Sequence, residues 1–115
     1  MSSEAGDDLV FKALADSRRR QILDLLKTEP RTTGDLCSHF EGVLDRCTVM
    51  QHIAVLERAE LIIPRREGRK RWNYLNAAPF ADIHERWISP YAAAAVGVLA
   101  RLKRDLESSG QLDEV

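Results

Sequence analysis

The spacing of apolar residues changes from helical to strand-like near residue 61, and this change constrains the fold more than any other feature of the sequence. Val49, Ile53 and Leu56 recur at intervals of four and three residues, which predicts a helix over about 46–60. The segment 61–75 then contains two short β-type stretches around a glycine, which predicts two strands joined by a tight turn. A helix followed at once by a β-hairpin is therefore the centre of the predicted fold.

Three shorter helices are predicted ahead of this one, over about 7–15, 17–27 and 32–40. Capping residues of the favoured types stand at the starts of the second and third helices, namely Asp16, Ser17, Thr32 and Asp35. Gly42 breaks the third helix, so the third and fourth helices form a helix-turn-helix, to which the hairpin adds a wing. The predicted fold class is mainly α with a small β-hairpin, a winged helix-turn-helix.

A long amphipathic helix is predicted to follow from Pro79, because apolar residues recur every three or four positions. These residues are Phe80, Ile83, Trp87, Tyr91, Ala95, Val98, Leu102 and Leu106. Pro90 interrupts the pattern, either as a kink or as the first turn of a new segment capped by Ser89.

The length of 115 residues allows one domain with a modest core. We expect a flexible arm at 1–6, the winged helix-turn-helix domain with a C-terminal dimerisation helix at 7–108, and a disordered tail at 109–115. With 44% hydrophobic and 30% charged residues, and no run of about 18 apolar residues, the composition is typical of a globular protein outside the membrane. The first eight residues carry acidic but no basic side chains, unlike a targeting segment, so we expect a cytoplasmic location.

Positive charge is concentrated in one stretch, although the whole chain has a net charge of −1. The range 58–71 holds six basic residues against two acidic ones. A basic hairpin that lies along the sugar-phosphate backbone gains affinity for any sequence, because each neutralised phosphate releases counterions. We predict that Arg69 and Lys70, at the tip, make such contacts. Alternation along the strands leaves either Arg66 or Arg71 beside them.

The side of the helix 46–60 that lies opposite its apolar stripe is polar and available to DNA. Gln51 can hydrogen-bond an adenine edge, Arg58 a guanine edge, and Thr48 a phosphate or a thymine methyl group. A polar helix face alone is more often merely solvated, but the turn before it and the basic hairpin after it favour DNA binding. The predicted DNA-binding residues are Arg46, Thr48, Gln51, His52, Arg58, Arg66, Arg69, Lys70 and Arg71.

The final helix carries more apolar surface than the small core beneath it can cover, which favours dimerisation. We predict a homodimer through the first and last helices, which would set two recognition helices about one DNA turn apart. The predicted interface residues are Leu9, Phe11, Trp87, Ala94, Val98 and Leu102. The alternative is a monomer whose final helix folds back on its own core.

Three segments resemble the ArsR family of winged-helix repressors: ALADSRRRQIL at 13–23, TVMQHIAVLE at 48–57 and REGR at 66–69. The resemblance covers roughly residues 7–106, with a turn at 41–46 slightly longer than the family's usual one. It implies a dimeric bacterial or archaeal repressor that binds an inverted-repeat operator and often releases it when an inducer binds. The inducer of this chain is unknown from its sequence.

Many members of that family sense metals, and the resemblance implies two places where the ligands would lie. At the first, a thiol pair just before Asp35-Leu36 of the third helix, this chain has Thr32 and Gly34. At the second, in the final helix, Asp82 and His84 match two of the ligand positions, whereas Ala95 and Val98 stand at the other two. Because zinc needs about four donors, we expect no metal dependence and no cofactor.

The two cysteines leave one alternative open. Cys37 and Cys47 are either structural thiols or, in the case of Cys47, a redox switch. A thiolate at the start of the recognition helix would be favoured by the helix N-terminus and by Arg46, and its oxidation could eject DNA. A winged helix used as a protein-interaction module is a further alternative. We expect no enzyme and no catalytic residue, because the sequence has neither a Gly-rich phosphate loop nor a nucleophile with an evident base.

Overall fold

The computed structural model describes the backbone of residues 3–113 and the side chains of residues 4–108. The chain divides into two compact units between Phe80 and Ala81. Its elements, in chain order, are α1 (Ser3–Leu14), α2 (Ser17–Thr28), β1 (Arg31–Thr32), α3 (Thr33–His39), α4 (Arg46–Arg58), β2 (Ile62–Glu67), β3 (Lys70–Leu75), α5 (Ala78–Ile83), a π-helical segment (His84–Ile88) and α6 (Ser89–Asp113). The mainly α fold with a small β-hairpin is confirmed, and the first unit holds both the helix-turn-helix and the wing.

Side-chain caps fix the starts of α2 and α3. The carboxylate of Asp16 accepts the backbone N–H of Arg18 at 2.8 Å and that of Arg19 at 3.3 Å. The hydroxyl of Thr32 accepts the backbone N–H of Asp35 at 3.1 Å. These bonds satisfy N–H groups that have no partner inside the helix, so both predicted caps are confirmed.

The core of the first unit forms around α3 and α4. Val49, Ile53 and Leu56 are at most 2% exposed, and Leu36 of α3 and its C-cap Phe40 are at most 3% exposed. Burying one such side chain stabilises the fold by roughly 1.5–3 kcal/mol. These contacts therefore supply the stability that two short helices lack on their own. All five inward positions agree with the helical spacing of the sequence.

The turn between α3 and α4 depends on Gly42. Its φ is +83°, a conformation that residues with a Cβ rarely adopt. The N–H groups of Val43 and Leu44 both donate to the carbonyl oxygen of Phe40 at 2.9 Å, so the chain reverses within a few residues. The predicted role of Gly42 as the break after α3 is confirmed.

The sheet has three antiparallel strands in the order β1-β3-β2, one more than the sequence predicts. β1 pairs Arg31 with Asn73 and Thr32 with Trp72. A two-residue strand is too short to show an alternating pattern, which is why it could not be recognised. β2 lies at an edge of the sheet, the position that Pro64 predicts for it.

The wing turns at Gly68 and Arg69, between the paired residues Glu67 and Lys70. Gly68 has a φ of +61°, whereas Arg69 does not have a positive φ. A positive φ at the first central residue alone is the pattern of a type II′ turn, whose twist suits a two-residue hairpin loop. Arg69 therefore lies at the tip, where the sequence places it.

The C-terminal segment contains a π-helical turn just before Pro90. Ser89 has φ −56° and ψ −45°, which are helical values, and its N–H donates to the carbonyl oxygen of His84. Ser89 therefore does not act as an N-cap, so that part of the prediction is wrong, although Pro90 does lie in the first turn of α6. Because proline has no N–H to donate, the wider turn ahead of it accommodates the missing bond while the helix continues.

The helices reach further towards both chain ends than the sequence predicts. α1 begins at Ser3, within the expected flexible arm 1–6, and α6 continues to Asp113, within the expected tail 109–115. An acidic residue in the first turn of α1 favours its extension, and residues 109–113 contain no proline that would end α6 earlier. Residues 1, 2, 114 and 115 lie outside the described residues. Across the described part of the chain, no helix is both long and apolar enough to cross a membrane.

Candidate nucleic-acid interface

α4 presents a polar surface because its apolar stripe is turned into the core. With Val49, Ile53 and Leu56 buried, the opposite side exposes Cys47, Gln51 and Arg58 and leaves Thr48 and Val55 half-buried, and Arg46 is also exposed. Arg46 lies in the first turn of the helix and Arg58 in the last. The side chains that could read base edges therefore extend along the whole length of α4.

The start of α4 is fixed by Asp45, which the sequence analysis did not select. Its carboxylate accepts the backbone N–H of Thr48 at 2.7 Å. The side chain of Thr48 also hydrogen-bonds this carboxylate, and the two bonds together hold the pKa of Asp45 below its ordinary value. The Thr48 hydroxyl therefore takes part in the cap of α4. Aspartate three residues ahead of threonine at a helix start was the available signal for it.

His52 is half-buried at the flank of α4, where Arg19 contacts it. The Nη1 atom of Arg19 lies 3.3 Å from the Nδ1 atom of His52. A guanidinium has donors only, so the imidazole Nδ1 accepts this bond and its Nε2 is the nitrogen left to a further partner.

Asp16 completes the group of charges at this end of α2. Partial burial acts to raise the pKa of Asp16, but hydrogen bonds from the N–H groups of Arg18 and Arg19 act against it. The nearby charge of Arg19 acts in the same direction, so the pKa of Asp16 lies below its ordinary value.

The wing offers exposed positive charge on both of its faces. Antiparallel register places Arg66 opposite Arg71 and places Lys70 opposite Glu67. Because neighbouring residues of a strand point to opposite faces, Arg66 and Lys70 project from different sides of the hairpin. Arg66, Arg69 and Lys70 are all exposed. The structure therefore brings these three predicted residues together around the tip.

Arg71 is the wing residue whose surroundings differ most from the other predicted phosphate contacts. It is half-buried, and its Nη2 atom donates to Oε1 of Glu57 on α4 in a close ion pair. The carboxylate of Glu57 is itself half-buried, with 28% of its side chain exposed. Glu57 has no role predicted from the sequence, because no residue spacing indicates that a helix residue and a strand residue 14 positions apart will meet.

Asn73, like Asp45 and Glu57, has no role predicted from the sequence. It is fully buried, and its Nδ2 atom donates to the carbonyl oxygen of Arg31 at 3.2 Å and to the hydroxyl of Thr33 at 3.1 Å. These bonds join the central strand to β1 and to the first residue of α3. Asparagine at an inward position of an alternating strand was the signal, since a buried amide requires partners.

The predicted dimer residues are exposed in the single chain. In α1, Leu9 is 43% and Phe11 44% exposed, whereas Val10 between them is buried. In the second unit Trp87, Val98 and Leu102 are between 40% and 53% exposed. Further exposed apolar residues lie along α6, namely Tyr91, Val96, Leu99 and Leu106.

The residues that the sequence offers for metal binding or redox chemistry form neither a metal centre nor a disulfide in the described part of the chain. Asp82 and His84 are exposed, and no group of three or more possible metal ligands occurs within the described residues. Cys37 is half-buried and Cys47 is exposed, both as free thiols.

Comparison with known proteins identifies relatives of this chain. A family model described as "Bacterial regulatory protein, arsR family" matches residues 16–63, from the Asp16 cap to the beginning of β2. The chain is 38% identical over 73 residues to the transcriptional repressor SdpR of Bacillus subtilis (strain 168), covering 64% of this chain and 79% of SdpR. It is also 38% identical over 74 residues to an arsenical resistance operon repressor of Staphylococcus aureus, covering 64% of this chain and 69% of that protein.

Solved structures show the same architecture. The chain is similar to the crystal structure of an ArsR family transcriptional regulator, with a TM-score of 0.70 and 29% sequence identity. The similarity covers 82% of this chain and 93% of that one.

Proposed function

This chain belongs to the arsR family of bacterial regulatory proteins, and we propose that it is a sequence-specific DNA-binding repressor of transcription that acts as a homodimer on an inverted-repeat operator. One observation carries the proposal. The exposed polar side of α4, with Gln51 at its middle, belongs to the same compact unit as a basic hairpin. A recognition helix and a wing in this order suit the major groove and the adjoining sugar-phosphate backbone.

The two elements have different tasks in this proposal. Gln51 and Arg58 present amide and guanidinium groups that match adenine and guanine edges and so give sequence preference. Arg66, Arg69 and Lys70 give affinity that does not depend on sequence, because they neutralise phosphates. The overall charge of −1 does not oppose this function, since six of the basic residues lie within 58–71.

A homodimer is part of the proposal because one recognition helix covers only one half-site. α1 and α6 each expose apolar residues whose burial against a second copy would be favourable. Two copies related by a two-fold axis read an inverted repeat, with half-sites about 34–36 Å apart.

The signal that releases DNA is proposed not to be a metal at either of the two positions considered. Thr32 and Gly34 cannot supply thiolates, and Asp82 with His84 gives only two donors. Oxidation of Cys47 is the alternative signal, favoured by one observation, namely that this thiol is exposed in the first turn of α4. Addition of zinc, arsenite or peroxide to the preformed complex tests these signals, and release by a metal would contradict the first.

The main test is a gel-shift titration of the purified chain with the DNA upstream of its own gene, across a series of salt concentrations. We expect a complex that weakens steeply as salt rises and that forms more readily on this DNA than on a shuffled duplex of equal length. A chain that forms no salt-sensitive, sequence-preferring complex would rule out the repressor and favour a protein-interaction module.

A further inference from the structure

Arg71 connects the wing to α4. Its guanidinium donates to the carboxylate of Glu57, which lies in the last turns of the helix, and both side chains are half-buried. An ion pair that is partly withdrawn from water holds its two partners more firmly than an exposed surface pair. The hairpin is therefore fixed to the recognition helix through a charged group on each.

The register of β2 and β3 places a second positive charge opposite Arg71, and the ion pair offsets the resulting repulsion. Arg66 lies directly opposite Arg71 in the register of β2 and β3. Opposite residues of an antiparallel pair have Cβ atoms about 4.5–5.5 Å apart, and like charges at such positions repel each other. The carboxylate of Glu57 offsets one of these charges, so it keeps Arg71 turned towards α4 and leaves Arg66 as the exposed guanidinium.

Asn73 attaches the same face of β3 to the other helix of the helix-turn-helix. It stands two residues after Arg71, so both side chains project from one face of the strand. Its amide contacts Thr33 at the start of α3, whereas Arg71 contacts Glu57 in α4. Successive residues of one face thus fix the central strand to both helices, and the orientation of the wing follows from that attachment.

We propose that Glu57 and Arg71 are positioning residues for DNA binding: their ion pair sets the angle of the wing against α4, and Arg71 makes no phosphate contact of its own. This proposal rests on the DNA-binding function proposed above. It separates Arg71 from Arg66, Arg69 and Lys70, with which the sequence groups it.

The test compares two substitutions that each remove one carboxylate charge, one from α4 and one from the wing. Glu57→Gln breaks the ion pair, whereas Glu67→Gln removes a carboxylate from the tip of the wing without touching Arg71. Loss of an acidic group beside DNA should by itself strengthen binding, as we expect for Glu67→Gln. Glu57→Gln should instead weaken binding to the upstream DNA on the order of tenfold, because the wing loses its fixed angle.

Variants of Arg71 supply a second readout. Arg71→Gln should weaken binding about as much as Glu57→Gln, should leave the slope of log affinity against log salt unchanged, and should add little in the double variant. The exchange of Glu57→Arg with Arg71→Glu should restore most of the affinity. Circular dichroism of each variant establishes that the measured protein is folded.

Three results would overturn the proposal. Tighter binding by Glu57→Gln would show that Arg71 contacts DNA once its ion pair with Glu57 is broken. A salt slope lower by about one for Arg71→Gln would show a phosphate contact. Failure of the exchanged pair to recover affinity would show that the pairing itself is unimportant. All three require a wild-type complex, whose absence would instead rule out the proposed function and this proposal together.

Discussion

Arg19 donates a hydrogen bond from Nη1 to Nδ1 of His52, 3.3 Å away, and thereby joins the first turn of α2 to the flank of α4. The same guanidinium donates to the carbonyl oxygens of Lys12 at 2.9 Å and Ala13 at 2.8 Å, at the end of α1. Its side chain is only 14% exposed. One side chain thus joins three helices of the first unit and satisfies carbonyl groups that a helix end leaves without partners.

Replacing Arg19 by glutamine should destabilise the first unit. Glutamine is too short to reach all three acceptors, and hydrogen bonds from charged groups contribute about 1.5–3 kcal/mol each. We expect the free energy of unfolding to fall by about 2 kcal/mol, measured by urea denaturation. Arg18→Gln is the matched control, because the Arg18 guanidinium contacts only the exposed Gln21 side chain among the hydrogen bonds seen, and it should change stability by about 0.5 kcal/mol or less. Equal effects of the two substitutions would contradict this role of Arg19.

The cap at Asp16 should make part of the stability dependent on pH. Asp16→Ala removes a side-chain N-cap and should cost about 1 kcal/mol at neutral pH. Because the folded state lowers the pKa of Asp16 below 3.8, its carboxylate stabilises the fold above that pH. This contribution is lost as the pH falls through the lowered pKa.

The measurement compares urea denaturation of wild type and Asp16→Ala between pH 7 and pH 3. The difference in the free energy of unfolding should narrow only in the most acidic part of that range. Asp24→Ala, an exposed aspartate on the same helix, should show no such loss at neutral pH. A constant difference at every pH would show that the charge of Asp16 contributes nothing.

The sequence predicts those parts of the fold that depend on periodic burial. The spacing of Val49, Ile53 and Leu56 defines α4, and it also defines the polar side on which Gln51 lies, since a helix has a fixed period. Gly42 and Gly68 mark the two turns, because both adopt positive φ values. These are local properties of the chain, and local properties can be read from neighbouring residues.

The parts that could not be predicted depend on residues far apart in sequence. The contact of Asn73 with Arg31 spans 42 residues, and β1 exists as a strand only because β3 pairs with it. The pairing of Arg71 with Glu57 likewise follows from how a strand packs on a helix. Charge alone therefore placed Arg71 among the phosphate contacts, since composition does not show which arginine has an internal partner.

Base recognition and phosphate contact should respond differently to substitution. Gln51→Ala should reduce the preference for the upstream DNA over a shuffled duplex, because it removes a side chain able to hydrogen-bond a base edge. Arg69→Ala and Lys70→Ala should weaken binding to both duplexes by similar factors and lower the salt slope by about one each. Gel-shift titrations on both duplexes measure the two effects. An unchanged preference in Gln51→Ala would show that another side of α4 faces the bases.

Leu102 should be needed for dimerisation but not for the folding of the single chain. It is 50% exposed, so Leu102→Glu creates no buried charge in a monomer, whereas it would place a carboxylate within the proposed interface. We expect light scattering to give the mass of one chain for this variant and of two for wild type. Binding to an inverted-repeat duplex should then weaken by more than tenfold, because two half-sites are no longer bound together. Lys103→Glu, which introduces the same group one residue further along α6, should remain dimeric. A dimeric Leu102→Glu would place the interface elsewhere on the chain.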